Sequence, residues 1–112
     1  FKRINDNYGH LQGDKVLQFV ANLLVDSVRP QDIAARIGGE EFVLMLANTP
    51  SDAACQVAER IRLKLSSFDK TTSMGVFTAT SSSVTAEECV ESADKAMYEA
   101  KETGRNRVVV FR

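Results

Sequence analysis

Residues 35–46 read ARIGGEEFVLML, two apolar runs parted by a pair of glycines and a pair of carboxylates. This stretch limits the fold more than any other. Asp32–Ile37 and Glu41–Leu46 are each of strand length, and the glycine-rich link Gly38-Gly39-Glu40 between them predicts a β-hairpin. Phe42, Leu44 and Leu46 alternate with Val43 and Met45, so the second strand is apolar on both faces. Such a strand suits an interior place with helices over at least one face. The two glycines let the backbone reverse sharply and lie close to whatever sits above it.

Helical periodicity flanks the hairpin. In residues 11–28, Leu11, Val16, Leu17, Val20, Leu23, Leu24 and Val28 recur mostly three and four apart, which predicts an amphipathic helix stopped near Pro30. A second helix is predicted over 53–65, with Ala54, Val57, Ala58, Ile61 and Leu65 on one face and its start among Asn48–Asp52. Residues 72–80, TSMGVFTAT, read as a strand with Gly75 as its soft point. Thr85 and Glu88 form a capping box for a third helix that runs to about Thr103, with Cys89, Ala93, Ala96, Met97 and Ala100 inward and Gly104 as its C-cap. Residues 108–111 are a last short strand. Alternating helices and strands predict a compact α/β (α+β) domain, and one more strand ahead of the first helix would complete a ferredoxin-like arrangement.

Composition narrows the function classes. A chain of 112 residues is one domain by size. Fourteen basic and fifteen acidic residues leave a net charge of −1, which argues against a broad nucleic-acid-binding face but not against a small phosphorylated ligand. Cys55 and Cys89 lack a second cysteine at metal-ligand spacing and read as free, largely buried thiols. No run approaches the roughly 20 apolar residues of a membrane span. The chain opens on Phe1-Lys2-Arg3-Ile4 without a starting Met, as a segment of something longer would.

Polar residues gather in four places. Glu40 and Glu41 sit at the hairpin turn, where they serve solubility or, beside exposed glycine backbone, hold a hard cation such as Mg²⁺. The opening segment carries Lys2, Asn5, His10 and Asp14; the amide and carboxylate could read a guanine edge, or act as turn and cap residues. Lys101 and Arg105 lie four apart at a helix C-terminus. On one face they could compensate the dipole or reach nucleotide phosphates. Arg29 and Asp32, three apart, are a surface pair or part of a second binding surface.

FKRINDNYGHLQGD, ARIGGEEF and ADKAMYEAKETGRN, in that order, resemble the signature blocks of the GGDEF family, the diguanylate cyclases. The name-giving motif is written here Gly38-Gly39-Glu40-Glu41-Phe42, and the resemblance covers nearly the whole chain. It implies a palm-type fold with a central antiparallel sheet, related to the nucleotidyl cyclases. It implies condensation of two GTP into cyclic di-GMP with release of pyrophosphate, by two domains that face each other as a homodimer. By match to the family pattern, Glu40 is a catalytic carboxylate and, with Glu41, a ligand of Mg²⁺ or Mn²⁺. Lys2, Lys101 and Arg105 handle phosphates, Asn5 and Asp14 bind guanine, His10 lies close to the nucleotide, and Gly38 and Gly39 give the substrate access to backbone. Arg29 and Asp32 match the family's RxxD inhibitory site for product, and their distance from the glycines favours that regulatory reading.

Two departures accompany the resemblance. The family's strand with an Asp-x-Asp-like metal site would precede Phe1, and the segment from Ser66 to Thr71 is shorter than family members usually have. The resemblance further implies an output module attached to a sensor or receiver domain, working in the cytoplasm where GTP is, in a parent protein that is soluble or anchored in the bacterial inner membrane. The competing reading is a catalytically silent GGDEF-like domain that binds GTP or cyclic di-GMP as a regulatory module.

Overall fold

The structure, a computed structural model, describes residues 10–38, 41–81 and 83–111, with the side chains of residues 10–14 outside the description. Its elements are α1 (His10–Ser27), β1 (Ile33–Gly38), β2 (Glu41–Met45), α2 (Ser51–Ser66), β3 (Ser73–Val76), α3 (Ala86–Glu102) and β4 (Arg107–Val110). The chain divides into two compact units, Phe1–Ala47 and Asn48–Arg112.

In the first unit the apolar stripe of α1 is buried as its spacing requires: Val16, Leu17, Val20, Leu23 and Leu24 are all core. The helix packs on β1. The predicted hairpin is present. β1 and β2 pair antiparallel, from Ile33 opposite Met45 to Gly38 opposite Glu41, with a bulge between Arg36 and Gly38. A bulge adds a residue to one strand and bends it, which re-aims the end of the hairpin.

The second unit is a β3–α3–β4 unit with α2 packed on its strands. β3 and β4 are parallel neighbours, Ser73 opposite Arg107 through Val76 opposite Val110. Parallel neighbours need a long crossover, and α3 supplies it. Antiparallel pairing is therefore confined to β1–β2 among the described residues, a division that strand order alone left open. α3 lies very close to β3: a Cβ on Gly75 would strike the Ala93 carbonyl oxygen and the Met97 amide nitrogen. The helix meets this strand through small residues, with Ala96 and Ala100 both buried. α2 adds Ala58, Ile61 and Leu65. Burial of an Ile or Leu side chain is worth about 1.5–3 kcal/mol each.

Three details differ from the sequence reading: the end of β3, the missing side-chain cap of α2 and the burial of the cysteines. β3 stops at Val76 instead of continuing to residue 80, because the ladder can be no longer than its partner; one more bond, from the Phe111 amide to the Val76 carbonyl at 2.8 Å, closes it. Beyond it Phe77 and Phe111 stack edge to face with centroids 5.6 Å apart. α2 starts at Ser51, with Pro50 in the capping position and no side-chain cap; Asp52 accepts from the Ala53 amide instead. Cys55 and Cys89 are free but only half-buried.

Candidate functional site

The hairpin end carries the first group of candidates. Glu41 opens β2 and is exposed, directly opposite Gly38. Among the described residues a Cβ at Gly38 would meet no heavy atom within 4 Å, so none of them covers the strand backbone there. Gly39 and Glu40, between the two, lie outside the described residues, as do Lys2 and Asn5. His10 and Asp14 fall in the opening turns of α1, with their side chains outside the description. Glu41 offers the oxygen donor that a hard cation prefers. No group of three His, Cys, Asp or Glu gathers among the described residues.

The second group is the Arg29–Asp32 pair, which the structure does bring together. The turn after α1 is closed by the Asp32 amide donating to the Arg29 carbonyl at 2.9 Å. Arg29 Nε and Nη2 donate to the two oxygens of the Asp32 carboxylate at 3.0 and 3.1 Å, and the Arg29 amide donates to Oδ2 at 3.0 Å. The bracket extends to the far end of the hairpin. Asp32 Oδ1 accepts from the Ala47 amide at 2.9 Å, while Arg29 Nη2 donates to the Ala47 carbonyl at 2.6 Å. The Asp32 side chain is 2% exposed and that of Arg29 48%. The Arg29 hydrogen bonds hold the Asp32 carboxyl far below the usual carboxylate range, with backbone donors adding to them against a desolvation cost. The Arg29 guanidinium is raised by the same pair. This is a two-pronged ion pair with one buried and one exposed partner, a geometry that fixes the Arg fork.

The third group lies at the end of α3. The Thr85 and Glu88 capping box starts this helix, Thr85 Oγ1 accepting from the Glu88 amide and Glu88 accepting from the Thr85 amide. The helix ends at Glu102, and the Arg105 amide returns to the Ala100 carbonyl at 2.8 Å. Gly104 takes a φ of 129°, which its missing side chain permits. Lys101 is half-buried in the last turn and Arg105 is exposed beyond it, so the expected shared helix face is not formed. A turn at Gly104 sets the direction of Arg105 instead. Arg105 and Asn106 both have positive φ, 62° and 45°.

Spacing did not reveal what holds that turn. Arg62 on α2 donates from Nη1 to the Asn106 side-chain oxygen at 3.2 Å. Its other edge clasps the Glu59 carboxylate, Nε lying 3.1 and 3.0 Å from the two oxygens and Nη2 bonding Oε1 as well. The pair lowers the Glu59 carboxyl and raises the Arg62 guanidinium. The Glu59–Arg62 spacing was visible in the sequence as a helical pair; the partner on a turn 44 residues away was not.

The β1–β2 hairpin and the βαβ unit, with a basic turn between its helix and its second strand, make up an α+β architecture of the palm-type nucleotidyl cyclase class. The chain belongs to the GGDEF family: the family model described as "Diguanylate cyclase, GGDEF domain" matches residues 1–107. It is similar to Diguanylate cyclase A of Treponema denticola, 46% identical over 119 residues, a match that covers 98% of this chain and 32% of that protein. The chain thus spans about a third of that relative's length. Among solved structures it resembles the active GGEEF domain of a diguanylate cyclase from Vibrio cholerae, with TM-score 0.86, 32% identity, and coverage of 99% of this chain and 76% of that one. It also resembles the GGDEF domain of DgcB from Caulobacter crescentus in complex with c-di-GMP, with TM-score 0.81, 30% identity, and coverage of 97% and 70%. No helix among the described residues is long and apolar enough to cross a membrane.

Proposed function

We propose that this domain condenses two molecules of GTP into cyclic di-GMP, releasing two pyrophosphates. Two copies face each other as a homodimer, each holding one GTP, and the 3′-hydroxyl of each nucleotide attacks the α-phosphorus of the other. The observation that carries this reading is the Gly38-to-Phe42 motif at the end of the β1–β2 hairpin, in a family whose relatives bear the cyclase name. The open backbone at Gly38 and the exposed Glu41 support it. Glu40 and Glu41 would hold Mg²⁺ or Mn²⁺, which when bound neutralises phosphate charge and polarises the reacting phosphoryl group.

The chain's own residues bind and orient. Asn5 and Asp14 recognise guanine and His10 lies against the nucleotide. Lys2, Lys101 and Arg105 meet the phosphates, and they offset the charge that develops as the bond to pyrophosphate breaks. Orientation of two bound nucleotides converts a bimolecular encounter into a positioned reaction. The Arg29–Asp32 bracket is the product-binding inhibitory site, supported by its spacing before the glycines and by the half-exposed guanidinium held in a fixed fork. A sensor or receiver domain in the same polypeptide brings two such domains together, in the cytoplasm where GTP is found.

The test is product formation from GTP and Mg²⁺, with Glu40→Ala alongside and a chelator added in parallel. Cyclic di-GMP from the wild type alone, lost with chelator and restored by added Mg²⁺, is the expected result. Binding of GTP or cyclic di-GMP with no product from any sample would replace the enzyme by a regulatory nucleotide-binding domain.

A further inference from the structure

We infer that Arg62 is a positioning residue for Arg105, acting from α2 through the side chain of Asn106. This rests on the reading of Arg105 as a phosphate-binding group. Two successive residues with side chains, Arg105 and Asn106, occupy the left-handed region at φ 62° and 45°. Residues that carry a Cβ avoid that region, so the surrounding structure must hold them there. Two of the restraints are local: the Arg105 amide on the Ala100 carbonyl, and Arg107 Nε donating to the Arg105 carbonyl at 3.1 Å. Both come from the same end of the chain and would move with it.

The third restraint is not local. Arg62 Nη1 grips the Asn106 side-chain oxygen at 3.2 Å from a separate helix. Arg62 is itself immobilised: its side chain is 19% exposed and its Nε and Nη2 edge is fixed on the Glu59 carboxylate. A planar fork that binds a carboxylate along one edge can offer its remaining nitrogen in only one direction. That direction meets Asn106. The sequence of restraint runs from Glu59 to Arg62 to the Asn106 side chain, and from there through one peptide bond to Arg105. Asparagine suits this post twice, since it tolerates positive φ and supplies the acceptor.

The experiment compares wild type, Arg62→Met, Asn106→Ala, Arg105→Met and the double variant Arg62→Met with Arg105→Met in the purified protein. It reads the GTP dependence of cyclic di-GMP formation and amide hydrogen exchange over residues 103–108. Arg62→Met preserves the length of the side chain and removes the fork; Asn106→Ala removes the acceptor and leaves the Glu59 pair untouched, so loss of the fold in one does not remove the test. Arg105→Met is expected to raise the half-saturating GTP concentration about tenfold, the scale of a lost charge-assisted hydrogen bond. Arg62→Met and Asn106→Ala are each expected to raise it about fivefold, as misplacement without removal would, and the double variant to be no worse than Arg105→Met. Exchange over 103–108 should quicken about tenfold in Arg62→Met and Asn106→Ala, and stay at the wild-type rate at the centre of α3. Multiplying effects in the double variant, or unchanged exchange at the turn, overturns the inference even where Arg105 matters. An unchanged GTP requirement in Arg105→Met overturns the phosphate reading of Arg105, and with it the inference.

Discussion

The carboxylate of Asp32 lies buried beneath the guanidinium of Arg29, and one of its oxygens also accepts from the amide of Ala47. A residue in the turn after α1 is thereby tied to the residue that follows the hairpin. Product bound at Arg29 would meet a group already locked to both strands at the open end of the β1–β2 hairpin, whose turn carries the proposed catalytic motif.

That arrangement has a pH signature. The Asp32 carboxyl is held far below its unfolded value, so its stabilising effect is full above about pH 4 and is lost as pH falls below the unfolded value toward the folded one. Acid unfolding of the wild type should therefore begin below about pH 4, where the unfolded chain starts to take up the proton. Asp32→Asn should be less stable at neutral pH, and its stability should depend less on pH below 4. Unfolding midpoints in denaturant measured from pH 2 to 7 check this; parallel curves for the two proteins would refute it.

The inhibitory-site reading predicts the same direction of change at both members of the pair. Arg29→Ala should weaken product inhibition about tenfold or more, through loss of a charge-assisted contact, with initial turnover retained. Asp32→Asn should weaken it as well by releasing the Arg29 fork. Inhibition curves with added cyclic di-GMP, measured at fixed GTP, decide the matter. Equal inhibition of wild type and Arg29→Ala would make the bracket a purely structural feature.

Gly75 has no room for a side chain. Gly75→Ala would place a methyl group against the backbone of α3 at Ala93 and Met97, where no rotamer change gives relief. The helix must lift off β3, at about 1–3 kcal/mol or more by analogy with overpacked cores. A lower thermal midpoint, with helical content retained until melting, is the expected observation.

Thr85→Ala removes one half of a capping box whose bonds to Glu88 are both formed. The cost should be about 1 kcal/mol, readable in a denaturant titration. Glu88→Ala should lose part of the same energy, and the double variant less than the sum, because the two side chains satisfy each other's backbone.

Much of this molecule is legible before folding. The periodicity of Val16, Leu17, Val20, Leu23 and Leu24 named the buried face of α1, and Thr85 with Glu88 named the start of α3. Both signals are local, arising within a few turns of one helix. The hairpin was equally readable, because two glycines and alternating apolar residues leave few other choices. What escaped was non-local. The parallel sense of β3 and β4 depends on how α3 returns, and the end of β3 at Val76 depends on the length of its partner. Arg105 was expected on a helix face because four residues separate it from Lys101, but Gly104 ends the helix between them and re-aims the chain. The hold of Arg62 on Asn106 joins residues whose relation no local pattern encodes.

The parallel pairing of β3 with β4 also bears on how that half of the chain assembles. A hairpin can form early, since its strands are joined by a short turn and little entropy is lost in closing it. β3 and β4 have no such shortcut: Ser73 meets Arg107 only after the whole of α3 has been laid across between them. Neither strand offers the other a partner until the helix has docked on the bare backbone at Gly75. Strand, helix and strand are then gained together, and a chain emerging from synthesis cannot complete this half until β4 has been made.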